Sequence, residues 1–152
     1  MRGLITFAAA MLFAGVTAYP FASQAKYRRS HVDECYNLAT NSLDGYTDPP
    51  QYLRCPFMDN DNFTHAEVTN LSVYVYDGCT NYGVGARVCV TFAQSSGGSC
   101  GSYSYTSVAG TGFLAAAPAV TKWSDYPSDF AWVGIYSNCS SDIIKGYKAN
   151  NN

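Results

Sequence analysis

Six cysteines constrain this chain more than any other feature: Cys35, Cys55, Cys79, Cys89, Cys100 and Cys139, all beyond an apolar leader. The leader opens with one basic residue, Arg2, and continues through the apolar run Leu4 to Ala14. Small residues follow at two places that suit cleavage, Val16-Thr17-Ala18 and Ser23-Gln24-Ala25. A charged start, a short apolar stretch and small residues form the pattern of a secretory signal peptide. The run is shorter than the roughly 20 apolar residues that span a bilayer. Pro20 breaks the apolar helix upstream of the second cut, so residues 1–25 are assigned to the signal peptide. In an exported chain an even cysteine count reads as disulfides, here three, with the pairing open. Zinc would need close cysteine pairs or histidines at ligand spacing, and the two histidines, His31 and His65, lie far apart.

Residues 26–152 then form one domain, long enough to bury a core. No second apolar run of membrane length follows. Nine Lys and Arg against eleven Asp and Glu make the chain slightly acidic, and its only basic cluster, Lys26, Arg28 and Arg29, sits at the start of the mature chain. Without a basic stripe to track phosphates, nucleic acid is excluded as a partner.

The segment from Lys26 to Pro56 is rich in turn residues, Asn41 to Gly45 and Asp48-Pro49-Pro50 among them. It is expected to wrap a sheet edge, with one early strand and a helical turn near Val32 to Leu38. From Glu67 the hydrophobic period becomes two, which marks half-buried strands. Leu71, Val73 and Val75 share one face of a strand, with Ser72, Tyr74 and Tyr76 on the other. In the next strand Val84, Ala86, Val88, Val90 and Phe92 face inward, and Arg87, Cys89 and Thr91 outward. Ser95-Ser96-Gly97-Gly98 supplies the glycines that a tight reversal demands. Further strands are expected at Tyr103 to Val108, Phe113 to Ala115, Phe130 to Tyr136 and Ile143 to Tyr147. Phe130 to Tyr136 is apolar on both faces and reads as the most buried strand. Short strands separated by turns, with no long helical period, define an all-β fold: an antiparallel β-sandwich. Cys89 and Cys100 flank one turn on the same face, where a cross-hairpin bridge fits. Cys35 to Cys55 would close the N-terminal wrap, leaving Cys79 with Cys139.

The chain resembles a group of small secreted bacterial β-sandwich proteins to which no function is attached. The resemblance covers about residues 31 to 149. It rests on Cys55-Pro56, Val73 to Gly78, Ala86 to Phe92, Ser95 to Gly101 and Ile144-Lys145-Gly146-Tyr147, in that order. Cys79 and Cys139 fall outside this pattern as an added bridge. The group implies a sandwich and export, and no reaction or ligand.

Several motifs carry chemistry on paper. Gly97-Gly98-Ser99-Cys100-Gly101 spells a nucleophile elbow, yet that elbow needs a strand before it, a helix after it and a later histidine. No histidine follows His65, so a hairpin turn is the better account. Asp59-Asn60-Asp61-Asn62 alternates oxygen ligands as a calcium loop does. Thr64 and Asn70 stand where an EF-hand needs glycine and a bidentate acid, which favours a polar loop held by Asx turns. Asp125, Asp129 and Asp142 are available for glycoside hydrolysis if the fold gathers them. Trp123 and Trp132 read as core. Asn62, Asn70 and Asn138 begin glycosylation sequons, acceptors only in a eukaryotic pathway, and the resemblance points away from one.

Tyrosine is the most suggestive feature, with thirteen in the chain. Tyr74, Tyr76, Tyr103 and Tyr105 lie on strands as a candidate ligand-binding set, with Tyr82, Tyr126 and Tyr136 nearby. Rings with a polar tip make a stacking platform for sugars or for a protein, or simply pair across a half-exposed sheet. The sequence therefore points to a secreted, extracellular, non-catalytic binding or surface-structural protein whose partner is a carbohydrate or an extracellular protein. No cofactor, metal or catalytic residue is expected. The alternatives are a secreted hydrolase inhibitor and a small glycan-active hydrolase.

Overall fold

The computed structural model describes residues 26–31, 34–37, 51–60, 62–81, 83–106 and 112–152. The expected signal peptide at 1–25 lies outside the described residues, as do the turn cluster at 41–50 and Asp61, Tyr82 and Val108.

Two antiparallel sheets make up the fold. Strands β1 (Tyr27–His31), β10 (Ile143–Asn150), β4 (Asn70–Asp77) and β8 (Gly112–Ala116) lie side by side in that order. The second sheet runs β2 (Tyr36–Asn37), β3 (Gln51–Pro56), β9 (Phe130–Ser137), β5 (Gly85–Thr91) and β6 (Gly98–Cys100), and β7 (Ser104–Tyr105) also pairs with β5. The period-two reading is borne out on β4 and β5. Leu71, Val73 and Val75 meet Val84, Ala86, Val88 and Val90 in one core, joined by Leu53, Val133 and Ile135 from β3 and β9. Strand β10 keeps this pattern only through a bulge. Its register with β4 shifts between Ile144 and Gly146, and Gly146 holds a positive φ of 129°. The extra residue, Lys145, changes the phase of the strand, so Ile144, Tyr147 and Ala149 are all buried. The Tyr147 hydroxyl then donates to the Pro56 carbonyl at 2.7 Å, tying one sheet to the other.

The expected disulfides all form: Cys35–Cys55, Cys79–Cys139 and Cys89–Cys100. Four local expectations need correction. Glu34 is in 3-10 conformation, within the span expected to turn, but Tyr36–Asn37 is a strand beside β3, because the Cys35–Cys55 bridge holds it there in register with Arg54. The strand expected at Tyr103 to Val108 is displaced toward the turn. Gly98–Cys100 pairs with β5, and only Ser104–Tyr105 rejoins it. Strand β9 is central in its sheet, with its inward positions buried and its outward ones covered unevenly: Gly134 is buried, whereas Phe130 is 67 % exposed. Trp132, in the same outward phase, is half-buried outside the core. Its indole N–H donates to Thr91 Oγ1 at 3.2 Å, which gives the ring a polar partner at the surface.

Trp123 is the core tryptophan. It sits on a short helix, α1 (Thr121–Asp125), that the two-residue period could not reveal, and it is fully buried. Its ring packs on Phe57 at 4.9 Å and its N–H donates to the Cys89 carbonyl at 3.0 Å, closing the end of the sandwich where β9 begins. His65, 1 % exposed, supports this plug. Its Nδ1 lies 2.6 Å from Asp59 Oδ2 and its Nε2 3.0 Å from the Tyr126 carbonyl.

Buried acids brace the opposite end. Thr106 Oγ1 donates to Asp77 Oδ2 at 2.8 Å and accepts from the Val84 amide. Asp142 accepts from the Gly78 amide and from Ser137 Oγ, the latter at 2.6 Å. A Cβ on Gly78 would stand 2.4 Å from the Ser141 carbonyl oxygen, so only glycine allows this approach.

Candidate functional site

The outer face of the six-stranded sheet collects aromatic and cationic side chains in rows set by strand register. Tyr52 faces Tyr136, Tyr136 faces Gly85, and Gly85 faces Tyr105. One step along, Arg54 and Arg87 flank Gly134 from either side. The next row carries Pro56, Trp132 and the Cys89–Cys100 bridge. These residues share a face because each is two positions from the next on its strand.

The glycines are structural requirements of this face. A Cβ on Gly85 would meet Tyr105 Cε1 at 2.7 Å and Tyr103 Cδ1 at 3.1 Å, so both rings lie across a bare backbone. The result is an unbroken series of rings. Tyr52 and Tyr136 are 4.8 Å apart, Tyr136 and Tyr103 6.5 Å, and Tyr103 and Tyr105 5.8 Å. Tyr52 and Tyr105 are 43 % and 54 % exposed, which leaves both ends of the series open to a ligand. Partial burial is the main cause that raises the Tyr103 hydroxyl above its ordinary pKa, against the opposing charge of Arg87. Tyr136 is raised as well, by desolvation first and by Tyr52 second.

Two guanidinium groups lie over aromatic rings of this surface. Arg87 Cζ is 4.5 Å from the centre of Tyr103 and Arg54 Cζ 4.5 Å from that of Trp132. Arg54 also donates to Thr91 Oγ1 at 2.5 Å. Beyond Arg54 and Trp132 the face runs into a cleft of about 400 Å³ bounded by Met58, Asp129 and Phe130.

The tyrosines singled out from sequence do not form one platform. Tyr103 and Tyr105 belong to this face. Tyr74 and Tyr76 point outward from the other sheet, where Tyr76 meets Phe113 edge-on at 5.3 Å. Both pairs alternate correctly, but their strands belong to different sheets, and alternation alone does not reveal that. Tyr126 packs on Phe92 beside the α1 plug. The members that sequence reasoning missed are Tyr52, Arg54, Arg87 and Trp132. The outward phase of Arg87 and the bare positions Gly85 and Gly134 were the available signals. A larger cleft, about 700 Å³, lies against the opposite sheet between Arg29, Glu34, Tyr74, Lys145 and Lys148. It mixes both charges around one exposed ring, so the aromatic series is the more specific surface.

The remaining motifs resolve into structural roles. Ser99 lies on edge strand β6 beside the Cys89–Cys100 bridge, with no helix after it. Asn60 Oδ1 accepts from the amides of Asn62 and Phe63 in an Asx turn, and Asp59 is engaged by His65. Asp125 pairs with Lys122 at 3.6 Å, Asp129 accepts from the Ala93 amide, and Asp142 is buried near the far end of β9. The three acids therefore do not gather. Cys79, Cys139 and Asp142 bring ligand-type atoms within 4.8 Å, but both thiols are consumed by their disulfide. Among the described residues no helix is long and apolar enough to cross a membrane. The chain matches no protein-family model, no curated protein and no solved structure.

Proposed function

We propose that this chain is an exported, non-catalytic protein that binds a carbohydrate chain along the outer face of its six-stranded sheet. The observation that carries the reading is the series Tyr52, Tyr136, Tyr103 and Tyr105, seated across Gly85 on a rigid sheet. Sugar rings present apolar C–H faces and polar edges, and tyrosine offers the matching combination of an apolar ring and a hydroxyl tip. The series crosses from β3 to β7 over three strand spacings, roughly 14 Å, enough for more than one ring. Three disulfides and the apolar leader support export.

Affinity electrophoresis and a glycan array on the oxidised protein test this directly. Tyr52→Ala and Tyr105→Ala are expected to weaken binding about tenfold each, in line with roughly 1 kcal/mol or more per stacked ring. Tyr74→Ala, on the opposite sheet, leaves it unchanged. A protein that binds no glycan, or one whose binding depends on Tyr74, rejects the proposal.

A second reading draws on the braced end of the sandwich. Asp77, Asp142 and the Cys79–Cys139 bridge hold a loop whose Thr80 and Asn81 are exposed, as an inhibitory loop would need. Inhibition of a secreted hydrolase, lost on reducing that bridge, would support this reading, and inactivity against a broad hydrolase panel would dismiss it.

A further inference from the structure

We infer that the glycan on this face is anchored by one neutral sugar residue seated in the cleft past Trp132, its hydroxyls held between Arg54 and Asp129. This rests on the glycan-binding reading and adds the anchoring subsite and the charge class of what fills it. The cleft holds about 400 Å³. Small-ligand sites of that size are mostly apolar, with a few placed polar groups, and these walls fit the description. The Phe57 amide donates to the Ala131 carbonyl at 3.0 Å and carries the β3–β9 pairing past Pro56, which brings Met58 beside Phe130. Met58 and Phe130 are 61 % and 67 % exposed, and half-buried Trp132 is the next outward position along β9. Large apolar side chains exposed together mark an interaction site.

Local anchoring brings two opposite charges to this cleft. Thr91 Oγ1 accepts from Arg54 Nη2 and from the Trp132 indole N–H. Asp129 Oδ1 accepts from the Ala93 amide at 2.9 Å. Thr91 and Ala93 are two residues apart, at most about 7 Å between Cα atoms, so guanidinium and carboxylate are planted on one short stretch of chain. They do not pair with each other. Among the described residues the ion pairs are Lys26–Glu67, His65–Asp59 and Lys122–Asp125. Arg54 spends one nitrogen on Thr91 and Asp129 one oxygen on Ala93, and the other polar atoms of both side chains have no partner among the described residues. Asp59 also lines the cleft, but both its oxygens are engaged by His65.

A ligand here has to answer a donor fork and an acceptor at once. An anion attracted by Arg54 is repelled by Asp129, and a cation meets the reverse. A hydroxyl both donates and accepts. Hydroxyls of one neutral sugar residue therefore donate to the Asp129 carboxylate and accept from the Arg54 guanidinium, each in a charge-assisted hydrogen bond. The apolar C–H face of the same residue lies against Phe130.

The test follows tryptophan fluorescence and calorimetry on the oxidised protein. The probes are cellohexaose, xylohexaose, mannohexaose and N-acetylchitohexaose, any further neutral glycan retained on the array, and the charged oligomers oligogalacturonate and deacetylated chitohexaose. Trp123 is fully buried and Trp132 lines the cleft, so a fluorescence change on binding reports occupancy beside Trp132 and disappears in Trp132→Phe. The expected result is a neutral glycan that binds with this change. Asp129→Asn and Phe130→Ala each weaken it about tenfold, for one charge-assisted hydrogen bond or one stacked ring. Asparagine keeps the Oδ1 acceptor for the Ala93 amide, and Asp125→Asn, the same charge change on α1, leaves binding intact. Thermal melting confirms that each variant is folded. Unchanged fluorescence, parental affinity in both Asp129→Asn and Phe130→Ala, or equal weakening in Asp125→Asn overturns the cleft assignment, and weakening by Tyr105→Ala then leaves the glycan reading standing. Tighter binding of a charged oligomer than of every neutral probe overturns the neutral assignment. Binding to no probe and to no arrayed glycan overturns both readings.

Discussion

Removing the Cys79–Cys139 bridge as the double variant Cys79→Ala and Cys139→Ala probes how the sandwich is held together. This bridge spans 60 residues, against 20 for Cys35–Cys55 and 11 for Cys89–Cys100. Loop-closure entropy then assigns it about 4 kcal/mol, and about 3 kcal/mol to each shorter bridge. The difference between the 60- and 11-residue loops is about 1.5 kcal/mol and depends only on their ratio. Alanine is the right replacement because Cys139 is 3 % exposed, and a buried hydroxyl would add a desolvation cost of its own. The Asp142 contacts with Gly78 and Ser137 stay in place, so the folded end keeps its shape and the effect falls mainly on the unfolded chain. Urea unfolding followed by circular dichroism measures both consequences. The midpoint should fall most for the 79–139 variant, and the slope m should rise, because a denatured chain freed of a long cross-link exposes more surface. If Cys89→Ala with Cys100→Ala costs as much as the long-loop variant, or m does not move, loop closure is not the governing term.

Three further outcomes are expected. Trp123→Ala should cost about 3–5 kcal/mol, the range for emptying a buried tryptophan site, and a loss below about 1 kcal/mol by urea unfolding would show that α1 is not the plug described. Gly85→Val should leave stability within about 1 kcal/mol, since valine favours strands, while displacing the Tyr103 and Tyr105 rings. Near-ultraviolet circular dichroism should report that displacement and glycan binding should fall about tenfold or more; unchanged binding would refute the role of the bare backbone. Titration at 295 nm should show tyrosines ionising above the ordinary value of 10.0, with Tyr103→Phe and Tyr136→Phe each removing one such group. A raised phenol keeps its proton in the folded state when the unfolded chain has lost it, so stability is full below about pH 10 and declines above it. Stability that rises with pH in that range contradicts the burial of these rings.

Two sources of information divide the candidate site. Arg87 was legible as outward-facing from the alternation of Val84 to Phe92, and the Cys89–Cys100 bridge followed from the same phase. Tyr52 and Arg54 were not legible, because they follow a turn-rich segment with no strand period to anchor them. In the sequence both Trp123 and Trp132 read as core, Trp132 through the apolar strand that holds it. The structure separates them by placing one on a five-residue helix facing inward and the other in the outward phase of β9.

What the sequence determined by itself is local: strand periods on β4 and β5, the glycine reversal at Gly97-Gly98, and disulfide chemistry. These follow from backbone geometry and side-chain alternation over a few residues. Tertiary structure alone decided which strands share a sheet. Strand β10 lies between β1 and β4, and β9 between β3 and β5, pairings that close long stretches of chain. Such pairings are selected by how well whole faces bury one another, a property of the assembled core rather than of any segment. That selection also sends Tyr74 and Tyr76 to one side of the sandwich and draws Tyr52, Tyr136, Tyr103 and Tyr105 together on the other.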